Sequence, residues 1–184
     1  MQIDMFTLKS LEIFERYDGV KKGSLIDTID KTQTACGARM LRAFLKAPLI
    51  DNKEIEFRHN LIESFLYNFS TLEIIIKLLA SVPDLERALA RVTAGTNNPR
   101  DLILIKQFIN FTKKIFRELE NVKEKNLHKL IPDKKVIDKA TIIEKLIEEN
   151  IEDTPPINLN DGGVIKGSVD KRLDELRNIK QIKT

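Results

Sequence analysis

GSLIDTIDKTQTACGARMLRAFLKAPLID, residues 23–51, carries the clearest pattern of helix starts and stops in this chain. Ser24, with Asp27 three positions later, has the pattern of a capping box, in which the serine oxygen meets free backbone N–H groups at the start of a helix. Thr34 predicts a second cap, before a helix with one apolar side and one charged side. Pro48 ends that helix because it supplies no backbone N–H. The stretch therefore predicts short helices joined by capped corners.

The same stretch resembles the core domain, also called the lever domain, of the bacterial MutS family of DNA mismatch-repair proteins. That family shows the phrases GSL, D-x-T-x-T, G-x-R-x-L-R and PL-x-D in this order. The chain departs from the family at Cys36-Gly37-Ala38, where Met-Gly-Ser is common, and the change conserves side-chain size. The residues that carry this first block of resemblance are Gly23, Ser24, Leu25, Asp30, Thr32, Gly37, Arg39, Arg42, Pro48 and Leu49.

Apolar residues at three- and four-residue spacings predict further helices along the chain. We expect these helices at residues 51–68, 71–80, 84–95, 99–121 and 134–150. Ser70 with Glu73 predicts a capped start for the second of them. Gly95 predicts a left-handed C-terminal cap for the third, and Pro99 suits the first position of the fourth.

A second block of resemblance to the MutS family combines D-L-E-R and L-A-R with a following N-P-R-D-L. Its residues are Asp84, Leu85, Glu86, Arg87, Arg91, Asn98, Pro99, Arg100 and Asp101. Short helices joined by capped corners need such residues to hold a fixed angle. The three arginines with Asp101 form either a buried ionic corner or a solvated one, and we favour a structural role for them over a ligand-binding role.

The helical pattern of the sequence ends after residue 152. Pro155 and Pro156 forbid a helix, and residues 157–159 alternate like a strand. A turn with Gly162 and Gly163 and a second short strand follow, so the sequence predicts a β-hairpin at about 157–166. With the later L-D-E-L-R, this is the third block of resemblance, carried by Pro155, Pro156, Gly162, Gly163, Leu173, Asp174 and Glu175.

No catalytic, cofactor-binding or metal-binding residues are predicted. The tandem glycine does not fit a P-loop, G-x-x-x-x-G-K-[ST], because Lys166 precedes Gly167. Zinc-ligand, EF-hand, H-E-x-x-H and G-x-S-x-G spacings do not occur in the sequence. Cys36 is the single cysteine, which excludes an internal disulfide.

The composition and charge of the chain limit its partners. Of its 184 residues, 31 are basic and 28 acidic, a net charge of +3. Most nucleic-acid-binding proteins have a concentrated basic face, and the nearly equal numbers of basic and acidic residues here do not indicate one. We therefore expect any intrinsic DNA affinity to be weak and salt-sensitive. No run approaches the roughly 18 apolar residues of a membrane helix, and the first residues lack a signal-peptide pattern. We therefore expect a cytoplasmic protein with no membrane partner.

The resemblance implies an all-α fold, namely a multi-helix MutS core (lever) domain with one small β-hairpin near its C-terminal end. It implies that residues 1–167 form this core, with the hairpin inside it. Residues 168–184 are then the start of a lever helix that leads toward a clamp domain absent from this chain.

The resemblance also implies a structural role, in which the domain links mismatched-DNA binding to an ATPase domain in a parent MutS protein. Such a domain is not an enzyme by itself, and ATP and Mg²⁺ belong to the parent's ATPase domain. The implied partners are the connector, clamp and ATPase domains of the parent, mismatched double-stranded DNA bound by the parent, and a second copy in a homodimer. The competing hypothesis is a free-standing helical module that docks a protein partner or binds DNA weakly.

Overall fold

The computed structural model describes residues 2–182, with side chains described for residues 2–179. Over these residues the chain is helical, which confirms the all-α prediction. The α-helices are α1 (Met5–Ser10), α2 (Leu25–Ile29), α3 (Ala35–Lys46), α4 (Asn52–Tyr67), α5 (Phe69–Leu79), α6 (Leu85–Thr93), α7 (Pro99–Glu120), α8 (Lys125–His128), α9 (Lys134–Asn150) and α10 (Lys171–Ile182). The last two residues of the predicted lever helix lie outside the described residues.

The capped corners predicted for the opening stretch are present. Ser24 precedes α2, and its hydroxyl accepts the N–H of Asp27 at 3.4 Å. The carboxylate of Asp27 reaches back to the N–H of Gly23 at 2.9 Å, one residue earlier than the usual capping box requires. Thr34 caps α3 by accepting the N–H of Gly37 at 2.9 Å. A Cβ at Gly37 would lie 3.0 Å from Oγ1 of Thr34, so this tight corner favours glycine.

The first of two compact units comprises residues up to Val82 together with Lys114–Ile131. It contains α1–α5, the C-terminal part of α7 and α8. Its main buried cluster is apolar and draws on α5, the end of α7 and α8, and it consists of Ile75, Leu119, Val122 and Leu127. Leu61 and Phe65 of α4 pack against this cluster, so α4 joins the unit through its apolar side.

The second compact unit comprises Pro83–Lys113 and the residues from Pro132 onward. It contains α6, the N-terminal part of α7, α9 and α10. Its buried apolar cluster consists of Ala88, Ile103, Ile105, Ile109 and Ile147. These residues come from α6, α7 and α9, so the three helices share one core.

The predicted start of α5 is wrong. We expected Ser70 to cap a helix over 71–80, whereas the helix begins at Phe69 with Asn68 before it. Asn68 makes no side-chain cap there, and its amide Nδ2 donates to the carbonyl of Ser64 at 2.8 Å, at the end of α4. The polar residue at this corner therefore closes the preceding helix rather than opening the next.

The predicted β-hairpin at 157–166 is absent from the described residues. Residues 157–159 do not form a strand, and Leu159–Asp161 form a single turn of 3-10 helix. Ile165 instead makes an isolated antiparallel bridge with Ile151, directly after α9. The N–H of Glu152 donates to the carbonyl of Val164 at 2.9 Å, and the N–H of Lys166 donates to the carbonyl of Asn150 at 2.8 Å.

The hairpin does not form because the two predicted strands, residues 157–159 and 164–166, differ in the backbone partners available to them. The prolines at 155 and 156 carry no N–H and so offer a poor edge for pairing. Ile157 and Leu159 remain 55% and 69% exposed, which means that no apolar burial stabilises them as a strand. The end of α9 offers free backbone groups, and residues 164–166 pair with those. The predicted boundary between a core at 1–167 and a lever helix from 168 stays a prediction.

Candidate functional site

The carboxylate of Asp101, at the corner between α6 and α7, is buried. Asp101 lies in the first turn of α7 and is 2% exposed, while Arg91 lies in the last turn of α6. Nε of Arg91 donates to both carboxylate oxygens of Asp101, at 3.0 and 3.1 Å, and Nη2 also donates to Oδ1. Oδ2 accepts the N–H of Asn98 at 3.0 Å as well. One carboxylate therefore joins the end of α6, the connecting loop and the start of α7.

The electrostatics of this corner favour an ionised Asp101. Hydrogen bonds from Arg91 hold the pKa of the carboxyl below its ordinary value. Burial acts in the opposite direction, and the N–H of Asn98 lowers the pKa further. An ionised carboxylate with internal donors on both oxygens stabilises geometry, and it is poorly placed to take a proton from a substrate.

The loop between α6 and α7 is closed by backbone geometry. Gly95 has φ +68°, as predicted for a left-handed cap. Its N–H donates to the carbonyl of Val92 at 3.1 Å, and the N–H of Thr96 donates to the carbonyl of Arg91 at 3.0 Å, which is the Schellman pattern. Arg91 thus contributes both its guanidinium and its carbonyl to the corner.

The side chains of the other two arginines of the block have partners other than Asp101. Arg87 pairs with Asp84 at 3.4 Å on the surface, where the Arg87 side chain is 75% exposed. Nε of Arg100 donates to the backbone carbonyl of Pro155 at 3.1 Å. The sequence left open a buried or a solvated corner for these residues. The structure buries the Asp101 carboxylate and leaves Arg87 at the surface.

Two contacts tie α7 to the segment that follows α9. One is the bond from Arg100 to Pro155, and the other is an ion pair between Nζ of Lys106 and the carboxylate of Asp153 at 2.9 Å. Lys106 holds the pKa of Asp153 below its ordinary value, with Lys166, 3.8 Å away, as a smaller contributor. This segment is therefore attached to α7 at two successive points.

The start of α10 is attached to the same segment. Nη2 of Arg177 donates to the carbonyl of Ile165 at 2.7 Å, and Nη1 donates to Asp174 at 3.3 Å. The other oxygen of Asp174 accepts the N–H of Ser168 at 2.8 Å. Ser168 has φ +68°, a conformation that a non-glycine residue rarely adopts. Asp174 and Arg177, in the first turns of α10, thus hold the connection that contains the strained Ser168.

Together these contacts form what we call the polar network of the second unit. It runs from the α6–α7 corner through the segment after α9 to the first turns of α10. Its members are Arg91, Asp101, Arg100, Pro155, Lys106, Asp153, Ile165, Ser168, Asp174 and Arg177.

The family model described as MutS domain III matches residues 6–183. The chain belongs to this family. The MutS domain III match confirms the resemblance drawn from the three blocks, since it covers all of them.

Curated relatives named DNA mismatch repair protein MutS match nearly the whole chain. The Natronomonas pharaonis protein is 35% identical over 179 residues, and the Halalkalibacterium halodurans protein is 33% identical over 178. The Zymomonas mobilis protein is 37% identical over 181 residues. The matches cover 96–97% of this chain but only 20–21% of the relatives, so the chain spans about a fifth of their length.

The first block of MutS residues lies in the first unit. Oδ1 of Asp30 accepts both the N–H and the hydroxyl of Thr32, at 3.1 and 2.7 Å. The guanidinium of Arg42 lies 5.4 Å from the ring centre of Phe14. Gly23, Ser24, Leu25, Gly37, Pro48 and Leu49 occupy the helix ends and corners around α2 and α3. Arg39 lies inside α3, where its Nη2 donates to Sγ of Cys36 at 3.2 Å. These local contacts shape the corners between successive helices.

The second and third MutS blocks meet in the second unit. Arg100 of the second block binds Pro155 of the third, and Leu85 packs against the core of this unit. Gly162 and Gly163 have φ +73° and +68°, so they turn the chain without forming the predicted hairpin. The remaining members, Glu86, Pro156, Leu173 and Glu175, make none of the contacts of the polar network described above.

Sequence reasoning missed several residues of the second unit. Nζ of Lys113 on α7 donates to the carboxylate of Glu144 on α9, and Glu144 is 8% exposed. The signal was available, because Glu144 lies on the same helical face as Ala140 and Ile147 of the buried side of α9. An acid in an apolar stripe implies a basic partner. By contrast, local sequence carries no signal for the bonds of Arg177 to Ile165 and Lys106 to Asp153, since each joins distant segments.

Among the described residues, no helix combines the length and apolarity needed to cross a lipid bilayer.

Proposed function

We propose that this chain is the core (lever) domain of a longer cytoplasmic MutS mismatch-repair protein, in which it transmits the state of bound mismatched DNA to an ATPase domain. The observation that carries this proposal is the polar network, which connects the α6–α7 corner to the first turns of α10. Family membership supplies the biological setting, and the network supplies the physical means.

A coupler must move as a unit, and the second unit has the contacts for this. Helices α6, α7 and α9 of this unit share one apolar core, with the largely buried Lys113–Glu144 pair between α7 and α9. The polar network adds contacts that depend on orientation, because hydrogen bonds and ion pairs weaken when their angles change. Packed elements of this kind shift between discrete arrangements rather than deform continuously.

In this proposal, the coupling domain acts on the rest of the protein by setting the orientation of α10. Arg177 and Asp174 fix the first turns of α10 against Ile165 and Ser168. Farther along, Leu176 and Ile179 are 58% and 52% exposed. An exposed apolar side favours a helix covered by further protein over the end of a self-sufficient module. In the proposal, that further protein includes the clamp domain.

The experiment uses the MutS polypeptide that contains this segment, purified with ATP, Mg²⁺ and mismatched duplex DNA. Arg177→Ala should leave the protein folded but reduce the ratio of ATP turnover with and without mismatched DNA by about 2- to 30-fold, the range for coupling energies of 0.5–2 kcal/mol. Arg172→Ala is the matched control, since Arg172 lies on the same helix, is exposed and is outside the network. Equal ratios in the two variants and the unmodified protein would contradict the coupling role.

The remaining partners in this proposal follow from the family alone. They are the connector and ATPase domains of the same polypeptide, mismatched double-stranded DNA and a second copy of the parent protein. The free-standing binding module remains the competing proposal. It predicts that the chain by itself is monodisperse and that the amides of α10 are protected from hydrogen exchange, whereas a coupler separated from its other domains should fray there.

A further inference from the structure

Helix α9 has two apolar faces, and only one of them is buried. The buried face carries Ala140, Glu144 and Ile147, which pack against the core of the second unit or pair with Lys113. A second apolar stripe lies about one residue's rotation, roughly 100°, around the helix. Its members are Val136, Ile142, Ile143 and Leu146, with exposed fractions of 54%, 58%, 48% and 55%.

The spacing of the exposed stripe is that of a helix-pairing seam. Val136 and Ile143 are seven residues apart, and Leu146 lies three and four residues after Ile143 and Ile142. Such spacings place side chains on one side of a helix over two to three turns. Four large aliphatic side chains within about 120° of the helix circumference are more than the scattered exposed apolar residues of an ordinary surface.

The charges beside the stripe are self-complementary. Lys135 and Glu149 lie seven residues before and seven residues after Ile142, on the same flank of the stripe. Both are exposed, and neither has an ion-pair partner among the residues whose side chains are described. If a second α9 lies antiparallel with Ile142 on the two-fold axis, each Lys135 meets the Glu149 of the other copy. A parallel arrangement would place like charges together.

We infer that the exposed stripe of α9 is a self-association surface, on which α9 of a second copy of this chain packs in antiparallel orientation. The contact is isologous, because the same residues serve both copies. Ile142 and Ile143 of the two copies form its centre, and the two Lys135–Glu149 pairs close its ends. This assignment is independent of the coupling role proposed for the polar network.

The size of the helix limits the strength of this contact. At 17 residues α9 is about 25 Å long, so the pair falls at the small end of specific interfaces. Lys139 lies within the stripe, where its aliphatic stem can cover apolar surface while its ammonium reaches water. We therefore expect a dissociation constant on the order of 10–100 µM.

The test is sedimentation of the full 184-residue chain at concentrations from about 5 to 500 µM. The unmodified chain should shift from monomer toward dimer over this range. Lys135→Glu and Glu149→Lys should each weaken self-association by about tenfold or more, because each creates two like-charge contacts per dimer. Ile142→Glu should abolish it, since it places two acids at the centre of the seam.

Mixing the two charge variants is the decisive step. A copy with Lys135→Glu and a copy with Glu149→Lys present opposite charges to each other at both ends, so the mixture should form heterodimers although each variant alone does not associate. Lys134→Glu and Glu148→Lys are matched controls, since each makes the same charge change at a neighbouring exposed position on another side of α9. These controls should associate like the unmodified chain.

Three results would overturn the inference. One is a chain that stays monomeric over the whole concentration range, which would assign the stripe to another segment or to a different protein. The second is association unchanged by the single charge variants and by Ile142→Glu, which would place the contact elsewhere, for example on the apolar side of α10. The third is a mixture that associates no better than its components.

Discussion

Arg91 and Asp101 are ten residues apart, and the guanidinium of one lies against the buried carboxylate of the other. Nε of Arg91 is 3.0 and 3.1 Å from the two carboxylate oxygens, and the carbonyl of the same arginine accepts the N–H of Thr96. The Arg91 side chain is 40% exposed, so water still reaches it in part. The pair therefore combines a desolvated anion with a half-solvated cation.

Replacement of Asp101 by alanine should lower the free energy of unfolding by about 2–4 kcal/mol. The loss has two sources, an arginine without its partner and an unpaired N–H at Asn98. Asp101→Asn should lose less, about 1–2 kcal/mol, because its amide oxygen still accepts one hydrogen bond. Urea denaturation followed by circular dichroism measures these differences.

Arg87→Ala is the control for this prediction, since Arg87 is also an arginine of the block but lies 75% exposed with a surface partner. Its cost should stay within about 0.5 kcal/mol. Equal losses for Arg87→Ala and Asp101→Ala would mean that burial of the carboxylate does not contribute to stability.

Acid should weaken this corner. The folded state holds the pKa of Asp101 below its ordinary value of about 4, so folding favours the ionised form. The resulting stability is present above pH 4 and is lost as the pH falls through the lowered value. As the pH falls below about 4, we expect the unfolding free energy of the unmodified chain to decrease more steeply than that of Asp101→Asn.

Asp4, Asp30 and Asp153 also have lowered pKa values, and they contribute to the acid dependence of both proteins alike. The difference between the two denaturation curves therefore reports Asp101 alone. Parallel curves at all pH values would contradict a lowered pKa in the folded state.

Gly95→Ala should destabilise the chain through its backbone. Gly95 has φ +68° in the Schellman cap of α6, and nothing lies within 4 Å of an added Cβ, so the cost is conformational rather than steric. We expect a loss of about 1 kcal/mol. Gly167→Ala is the matched control, because that site is equally open and its φ is outside the left-handed region. There the change should be neutral or slightly stabilising.

Arg177→Ala in the chain by itself should loosen the start of α10. The variant loses the bond to the carbonyl of Ile165 and the support for Asp174, which holds the strained Ser168. Amide hydrogen exchange over residues 168–176 should accelerate by about 3- to 10-fold, as expected for a partly exposed charged hydrogen bond. Protection unchanged relative to Arg172→Ala would show that α10 does not depend on this contact.

The parts of this protein that sequence predicts well are those governed by neighbours in the chain. The caps at Ser24 and Thr34 need only a polar side chain three positions before a free N–H. The boundaries of α9 follow from a continuous helical pattern that ends before Asp153, and the observed helix has the predicted bounds. The left-handed Gly95 follows from the helix that precedes it. The three MutS blocks identify the family because they combine such corners in a fixed order.

The failures share a different cause. At Asn68 and at residues 157–166, local pattern allowed two outcomes, and the choice depended on which other segment offered a partner. The side chain of Asn68 binds the carbonyl of Ser64 at the end of α4, and α5 begins at Phe69 rather than after Ser70. Residues 164–166 pair with the end of α9 rather than with residues 157–159. A backbone group pairs with the best available partner, and sequence distance does not reveal which partner that is.

Interactions between residues a few positions apart account for most of the helices, for the caps at Ser24, Thr34 and Gly95, and for the three MutS domain III blocks, and these could be read from the sequence. The burial of Asp101 against Arg91, with Arg87 left at the surface, depends on how α6 and α7 pack. The tertiary structure also decided that Arg100 and Arg177 hold the segment after α9, and that α9 keeps a second apolar face uncovered. Burial and long-range pairing depend on how the helices pack, and the same amphipathic pattern fits more than one packing.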